Sequence, residues 1–274
     1  MNLKEKAIEM TAIYKENTKI EAILLAGSVA QGWEDEFSDI ELHLFWKEPP
    51  MDWERRGPIL SVKGEILTFH PYEDEEWSES YLTGEGIKME ISNFLSSTIN
   101  RTVNDVVVKY NPCYDKQCLV SSIHDGIALH GERIIHAFKN GVVNYPNELA
   151  VKMISENLEF GSRWNNRQAL LRRQDWLMYY EIICDVQKKL MGVLFGLNSI
   201  YVHHPSFKWM PYKTEQLHVK PIDFLPRMNN VLKGNPEESL ERMELLVLDV
   251  IKLVEIHKPE INIKKQKQTI SFVK

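Results

Sequence analysis

The chain has 274 residues, 43% hydrophobic and 26% charged, with a formal net charge of −6. That composition suits a folded chain with a sizeable core and argues against long disorder. The acidic balance argues against a nucleic-acid binder, which usually shows a basic surplus, although it is compatible with a local basic groove.

Leu3, Ala7, Ile8, Met10, Ala12 and Ile13 form a helical stripe that predicts a helix from about residue 2 to 16. A strand follows through 20–26, then the small-residue turn Gly27-Ser28 and a short helical segment near 28–33. A second strand, about 39–47, ends at Pro49-Pro50. Segment 59–70 alternates and predicts a third strand; 86–94 alternates cleanly and predicts a fourth. The acidic tract from Glu73 to Glu79 reads as a solvated loop or short helix. Beyond about residue 95 the period changes, and 96–109, 131–140, 147–170, 173–197, 221–233 and 237–257 all read as helices. Pro146, Pro221 and Pro236 fall at first-turn positions, where a missing N–H costs nothing. Lys264, Lys265 and Lys267 read as a solvated end. The expected fold class is α+β: an N-terminal α/β domain with a small mixed sheet over residues 1–125, and a C-terminal helical bundle over 126–274.

Cys113, Cys118 and Cys184 are odd in number and lack metal-ligand spacing, so they fit a reducing cytoplasm better than a disulfide framework. The N-terminus is charged, with no apolar signal region, and no apolar stretch nears the roughly 20 residues that span a bilayer. A cytoplasmic protein without membrane contacts is expected.

The chemistry concentrates in residues 27 to 41, Gly-Ser-Val-Ala-Gln-Gly-Trp-Glu-Asp-Glu-Phe-Ser-Asp-Ile-Glu. Residues i and i+2 of a strand share a face, so Asp39 and Glu41 point one way while Ile40, Leu42 and Leu44 point into a core. Two like charges side by side are unfavourable unless something positive lies between them. A divalent cation is the simplest candidate, and hard carboxylate oxygens suit Mg²⁺. The Gly27-Ser28 turn offers backbone N–H groups and a hydroxyl to a phosphate. Phosphate cradle and metal carboxylates together read as nucleotide chemistry. His43 continues the same face, where a supporting or simply packed histidine is the commoner reading.

Gly-Ser, ten intervening residues, then Asp-x-Glu at a strand start resembles the signature of the polymerase-β-like nucleotidyltransferase superfamily. Within it, Ser38-Asp39-Ile40-Glu41 looks most like the kanamycin-type aminoglycoside nucleotidyltransferases. Two further stretches extend the resemblance. Thr83 to Phe94 resembles the family's later strand, which brings another acid, here Glu90, toward the pocket. Glu156 to Trp164 resembles the start of the bundle segment holding the general base, here Glu159, with Arg163 where the family has a lysine. An Asn-x-x-Tyr…Lys-Trp pattern, here Asn198, Tyr201, Lys208 and Trp209, resembles stretches in bacterial proteins of this group and suggests a phosphate contact for Lys208.

The resemblance implies a Mg²⁺-dependent transfer of a nucleoside monophosphate from ATP or another nucleoside triphosphate to a hydroxyl of a small, aminoglycoside- or lincosamide-like acceptor. Asp39 and Glu41 would be catalytic and hold the metal; Gly27, Ser28, Arg163 and Lys208 would bind nucleotide. Glu159 would take the acceptor's proton, and Glu90 and Glu156 would face a cationic acceptor. It also implies a homodimer in which Glu159 completes the partner's site.

Blander readings stand beside these. Glu156, Glu159 and Arg163 at i, i+3 and i+7 also describe an exposed ion-pair face of one helix. Glu90 is a solvent-facing strand residue unless its strand pairs beside 39–45, and Glu65 is its rival as third acid. Trp176, Leu177, Tyr179, Tyr180 and Ile183 read as bundle core, and Arg167, Arg172 and Arg173 as an exposed face rather than a clamp on a triphosphate. His203 and His204 lack a third ligand for zinc. The alternatives to a small-molecule transferase are nucleotidylation of a protein or tRNA and a non-catalytic nucleotide-binding module of the same fold.

Overall fold

A computed structural model describes residues 2–271. The chain divides into two compact units, Met1–Lys109 with Leu119–Asn144, and Tyr110–Cys118 with Tyr145–Lys274. The fold is α+β, as the sequence predicts.

The first unit runs α1 (Leu3–Tyr14), β1 (Ile20–Ala26), α2 (Gly27–Gln31), β2 (Ile40–Trp46), α3 (Asp52–Ser61), β3 (Glu65–Phe69), β4 (Trp77–Leu82), β5 (Lys88–Leu95) and α4 (Ser96–Val103). A π-helical turn, Asn104–Val108, continues α4, and α5 (Tyr114–Asp125), β6 (Ile127–His130) and α6 (Glu132–Val142) follow. The six strands form one sheet in the order β3-β4-β5-β2-β1-β6. β2 and β5 pair in parallel and every other pair is antiparallel. Ile40, Leu42 and Leu44 are buried on one face of β2 while Glu41 and His43 are half-buried on the other, as the alternation predicts. Ile23, Leu25, Met89, Ile91, Met10 and Tyr14 complete the core beneath that first face.

Three expectations fail in this unit. Residues 59–61 belong to α3, because Glu54 accepts the Met51 N–H at 2.8 Å at the helix start and Gly64 N–H caps Ile59 at 2.8 Å at its end. The tract Glu73–Glu79 ends inside β4, where Glu79 is buried and accepts from Arg55 Nε at 2.8 Å and from Asn93 at 3.1 Å. A carboxylate with an arginine partner is buried at far lower cost than a lone one, and composition cannot show that partner. The expected boundary after residue 125 also moves. β6 pairs with β1 through Leu25↔Ile127 and Leu24↔Ala128, and Phe138 of α6 meets Phe45 edge to face at 5.6 Å. Residues 126–144 therefore stay with the sheet.

The second unit holds the start of α5 with α7 (Asn147–Asn157), α8 (Gly161–Asn165), α9 (Arg167–Arg173), α10 (Trp176–Asn198), α11 (Met210–Glu215), α12 (Phe224–Lys233), α13 (Pro236–His257) and α14 (Lys264–Ser271). α10 is its core helix, buried from Ile182 through Gly196 along one stripe. A Cβ on Gly192 would lie 2.1 Å from Tyr114 Oη and 2.6 Å from Asn157, so only glycine permits this packing against α7. The predicted helix 147–170 is broken into three pieces, with Gly161 in the left-handed region at φ 78°. Arg167 is buried rather than exposed, 2.6 Å from Glu244 and over the Trp164 ring. Tyr179 and Ile183 are core, but Trp176 and Leu177 are exposed. Lys264 and Lys267 lie on α14, where Lys267 pairs with Glu255. Among the described residues no helix is long and apolar enough to cross a membrane.

Candidate functional site

β1 ends at Ala26, which pairs with Glu41 of β2, so the turn into α2 begins directly beside the Glu41 side chain. Gly27 sits at φ 65°, and a Cβ there would lie 2.5 Å from the Glu41 carboxyl carbon and Oε1. The left-handed backbone favours glycine, and the Glu41 carboxylate lies in the space that a Cβ would take. Ser28 follows, buried, with its Oγ 3.3 Å from Ser38 Oγ. Ser38 in turn donates to Asp35 Oδ1 at 3.0 Å and accepts the Asp35 N–H at 2.9 Å. This closed turn delivers the chain to Asp39.

The parallel register of β2 and β5 sets Glu41 opposite Glu90. Asp39, Glu41 and Glu90 each present an oxygen, and these atoms lie within 4.8 Å of one another on three half-buried side chains. Glu65 lies on β3 at the sheet edge, two strands beyond β5, and is exposed. Of the two rivals, Glu90 is the acid that lies with Asp39 and Glu41.

Lys88, the first residue of β5, was assigned no role from the sequence. Its Nζ donates to Asp39 Oδ2 at 2.8 Å and to Glu90 Oε1. These hydrogen bonds, that to Asp39 foremost, hold its pKa above the ordinary lysine value. The usable signal was its position two residues before Glu90 on the same strand face. His43 lies two residues past Glu41. Its ring meets Phe94 edge-on at 5.5 Å, its Nδ1 is buried without a hydrogen bond, and burial lowers its pKa to about 4. It is a packed, neutral imidazole at pH 7.

The remaining predicted residues belong to the second unit. Glu156 is exposed on α7. That helix stops at Asn157, so Glu159 is not on a continuous face with Glu156 and Arg163, because the backbone leaves the helix there and turns at Gly161, where α8 starts. Glu159 Oε1 accepts from Gln266 at 3.0 Å, and its carbonyl accepts from Lys189 at 3.0 Å. Arg163 pairs with Glu181 at 3.0 Å. Both line an open cleft of about 590 Å³ with Ser162, Cys184 and Lys188. Lys208 is exposed in a loop between two left-handed residues, Phe207 and Trp209, and its carbonyl accepts from His203 Nε2 at 2.6 Å.

The donor set Asp39, Glu41 and Glu90 fits a hard divalent cation: two carboxylates on paired strands and a third from the residue just before β2, with a glycine giving one of them room. The cysteines Cys113, Cys118 and Cys184 are free and take no part. Residues 112–210 match the protein family described as "Domain of unknown function (DUF4037)", a stretch that includes Glu156, Glu159, Arg163 and Lys208 and none of the three clustered acids. Comparison with curated proteins finds no match.

Proposed function

We propose that the chain is a Mg²⁺-dependent nucleotidyltransferase that moves a nucleoside monophosphate from ATP, or another nucleoside triphosphate, to a hydroxyl of a small acceptor. The observation that carries this reading is the convergence of Asp39, Glu41 and Glu90 beside the Gly27-Ser28 turn. Asp39, Glu41 and Glu90 would hold the Mg²⁺, which when bound neutralises charge on the triphosphate. Ser28 Oγ and the backbone N–H groups after Gly27 orient the terminal phosphates by hydrogen bonding. The parallel pairing of β2 and β5 sets the spacing of Glu41 and Glu90, and the turn through Ser38 brings Asp39 beside them.

Glu159 keeps the proton-accepting role that the resemblance gives it, as a separable part of the proposal. Phosphate contacts from Arg163 and Lys208, and acceptor binding by Glu156, stand on the same footing. One observation favours the rival reading of a non-catalytic module: Lys88 already neutralises two of the three acids.

Incubation with ATP or GTP, Mg²⁺ and a panel of hydroxylated amines, read by mass for added nucleoside monophosphate, tests the proposal. An adduct that disappears in Asp39→Asn and in EDTA is expected. Mg²⁺-dependent nucleotide binding without any adduct or pyrophosphate release would favour the non-catalytic module.

A further inference from the structure

We propose that Lys88 is a displaceable counter-ion of the carboxylate site: it bridges Asp39 and Glu90 until a divalent cation takes their oxygens, and its ammonium then turns toward the phosphates of the bound nucleotide. The inference rests on the metal-site reading above and adds a residue to it.

Lys88 opens β5 and faces the same side as Glu90, whose partner across the parallel pair is Glu41. Its Nζ lies 2.8 Å from Asp39 Oδ2 and is bonded to Glu90 Oε1, so the ammonium uses oxygens of two of the three acids that approach one another within 4.8 Å. An ammonium and a divalent cation cannot both occupy that spot, because their repulsion at contact distance is large in a half-buried setting. The lysine side chain is 41% exposed, and among the described residues its ammonium bonds to the two carboxylates alone. A flexible four-carbon stem lets the charge leave without moving the strand. Once released it stays within a side-chain length of Asp39 and Glu90, where it faces any polyanion drawn to the site.

The test compares Mn²⁺ binding by wild type, Lys88→Met and Lys88→Arg, followed by electron paramagnetic resonance without nucleotide and then with ATP. Lys88→Met should bind Mn²⁺ on the order of tenfold more tightly without nucleotide, because a competing cation is gone. It should bind ATP more weakly than wild type in the presence of Mn²⁺. Lys88→Arg should follow wild type without nucleotide. Equal or weaker Mn²⁺ binding by Lys88→Met overturns the counter-ion role and leaves the metal site standing. Tighter Mn²⁺ with unchanged ATP affinity overturns the phosphate contact. Absence of Mn²⁺ binding by wild type and Lys88→Met alike overturns the metal site itself. An independent measurement needs no variant: labelling of Lys88 by an amine-reactive acyl reagent, read by peptide mass, should rise when Mg²⁺ replaces EDTA. Unchanged labelling contradicts the displacement.

Discussion

Gly27 bears two constraints at once, a left-handed backbone and the Glu41 carboxylate where its Cβ would be. Gly27→Ala should cost roughly 1–2 kcal/mol from the backbone alone and should push Glu41 aside, since a flexible carboxylate yields before the strand does. The expected result is a folded protein with weakened Mn²⁺ binding, measured by calorimetry; undiminished binding would separate the glycine from the site. His43 makes a pH-dependent prediction. Its folded pKa of about 4 lies below the ordinary histidine value, so the unfolded chain binds the extra proton first. Its contribution is full above about pH 6.5 and is lost as pH falls toward 4, by up to roughly 3 kcal/mol. Thermal melts of His43→Leu in EDTA should show a flatter pH profile than wild type over that window; parallel profiles would contradict it. At this scale Asp39 and Glu41 were legible from strand period, whereas the Lys88 bridge was not. Period shows which face a side chain is on, and not which partner its rotamer selects.

Elements read by local pattern came out well where one face is buried and the other wet. β2 and β5 alternate in just this way, and both were anticipated within two residues of their bounds. Their parallel pairing was not readable, because α3, β3 and β4 intervene between the partners, and the Glu41↔Glu90 register follows from that pairing. α3 was hidden because Pro49-Pro50 and Gly57-Pro58 look like breakers, while the stabilising contact is Glu54 reaching back to Met51. The buried pair Arg55 and Glu79 ties α3 to β4 at 2.7 Å, with Arg55 also donating to the His70 and Ser78 carbonyls. Arg55→Met leaves the Glu79 carboxylate buried without its cation and should destabilise by about 3–5 kcal/mol. Replacing both partners by apolar residues should recover much of that loss. Urea unfolding followed by circular dichroism would measure each, and a single variant as stable as wild type would contradict the role assigned to the pair. The break at Leu158–Phe160 was missed for a different reason. Glu156, Glu159 and Arg163 keep helical spacing across it, and only the left-handed Gly161 disrupts the chain.

For the whole molecule, the α+β class and the presence of a sheet unit and a helical unit follow from the change of period near residue 95. Their boundary does not, because β6 returns to pair with β1 after the first helices and only tertiary pairing reveals it. The kanamycin-type resemblance predicts a homodimer, so light scattering at micromolar concentration should give twice the chain mass; a monomer would remove the expectation that Glu159 serves a partner's site. The claim on which the rest depends is that Asp39, Glu41 and Glu90 form a metal site for a nucleoside triphosphate. Isothermal titration of ATP into wild type and Asp39→Asn, with Mg²⁺ and with EDTA, tests it most directly. The account predicts binding by wild type that requires Mg²⁺ and is lost in Asp39→Asn, with unchanged circular dichroism. Nucleotide binding that is equal in both proteins, or indifferent to Mg²⁺, would contradict it.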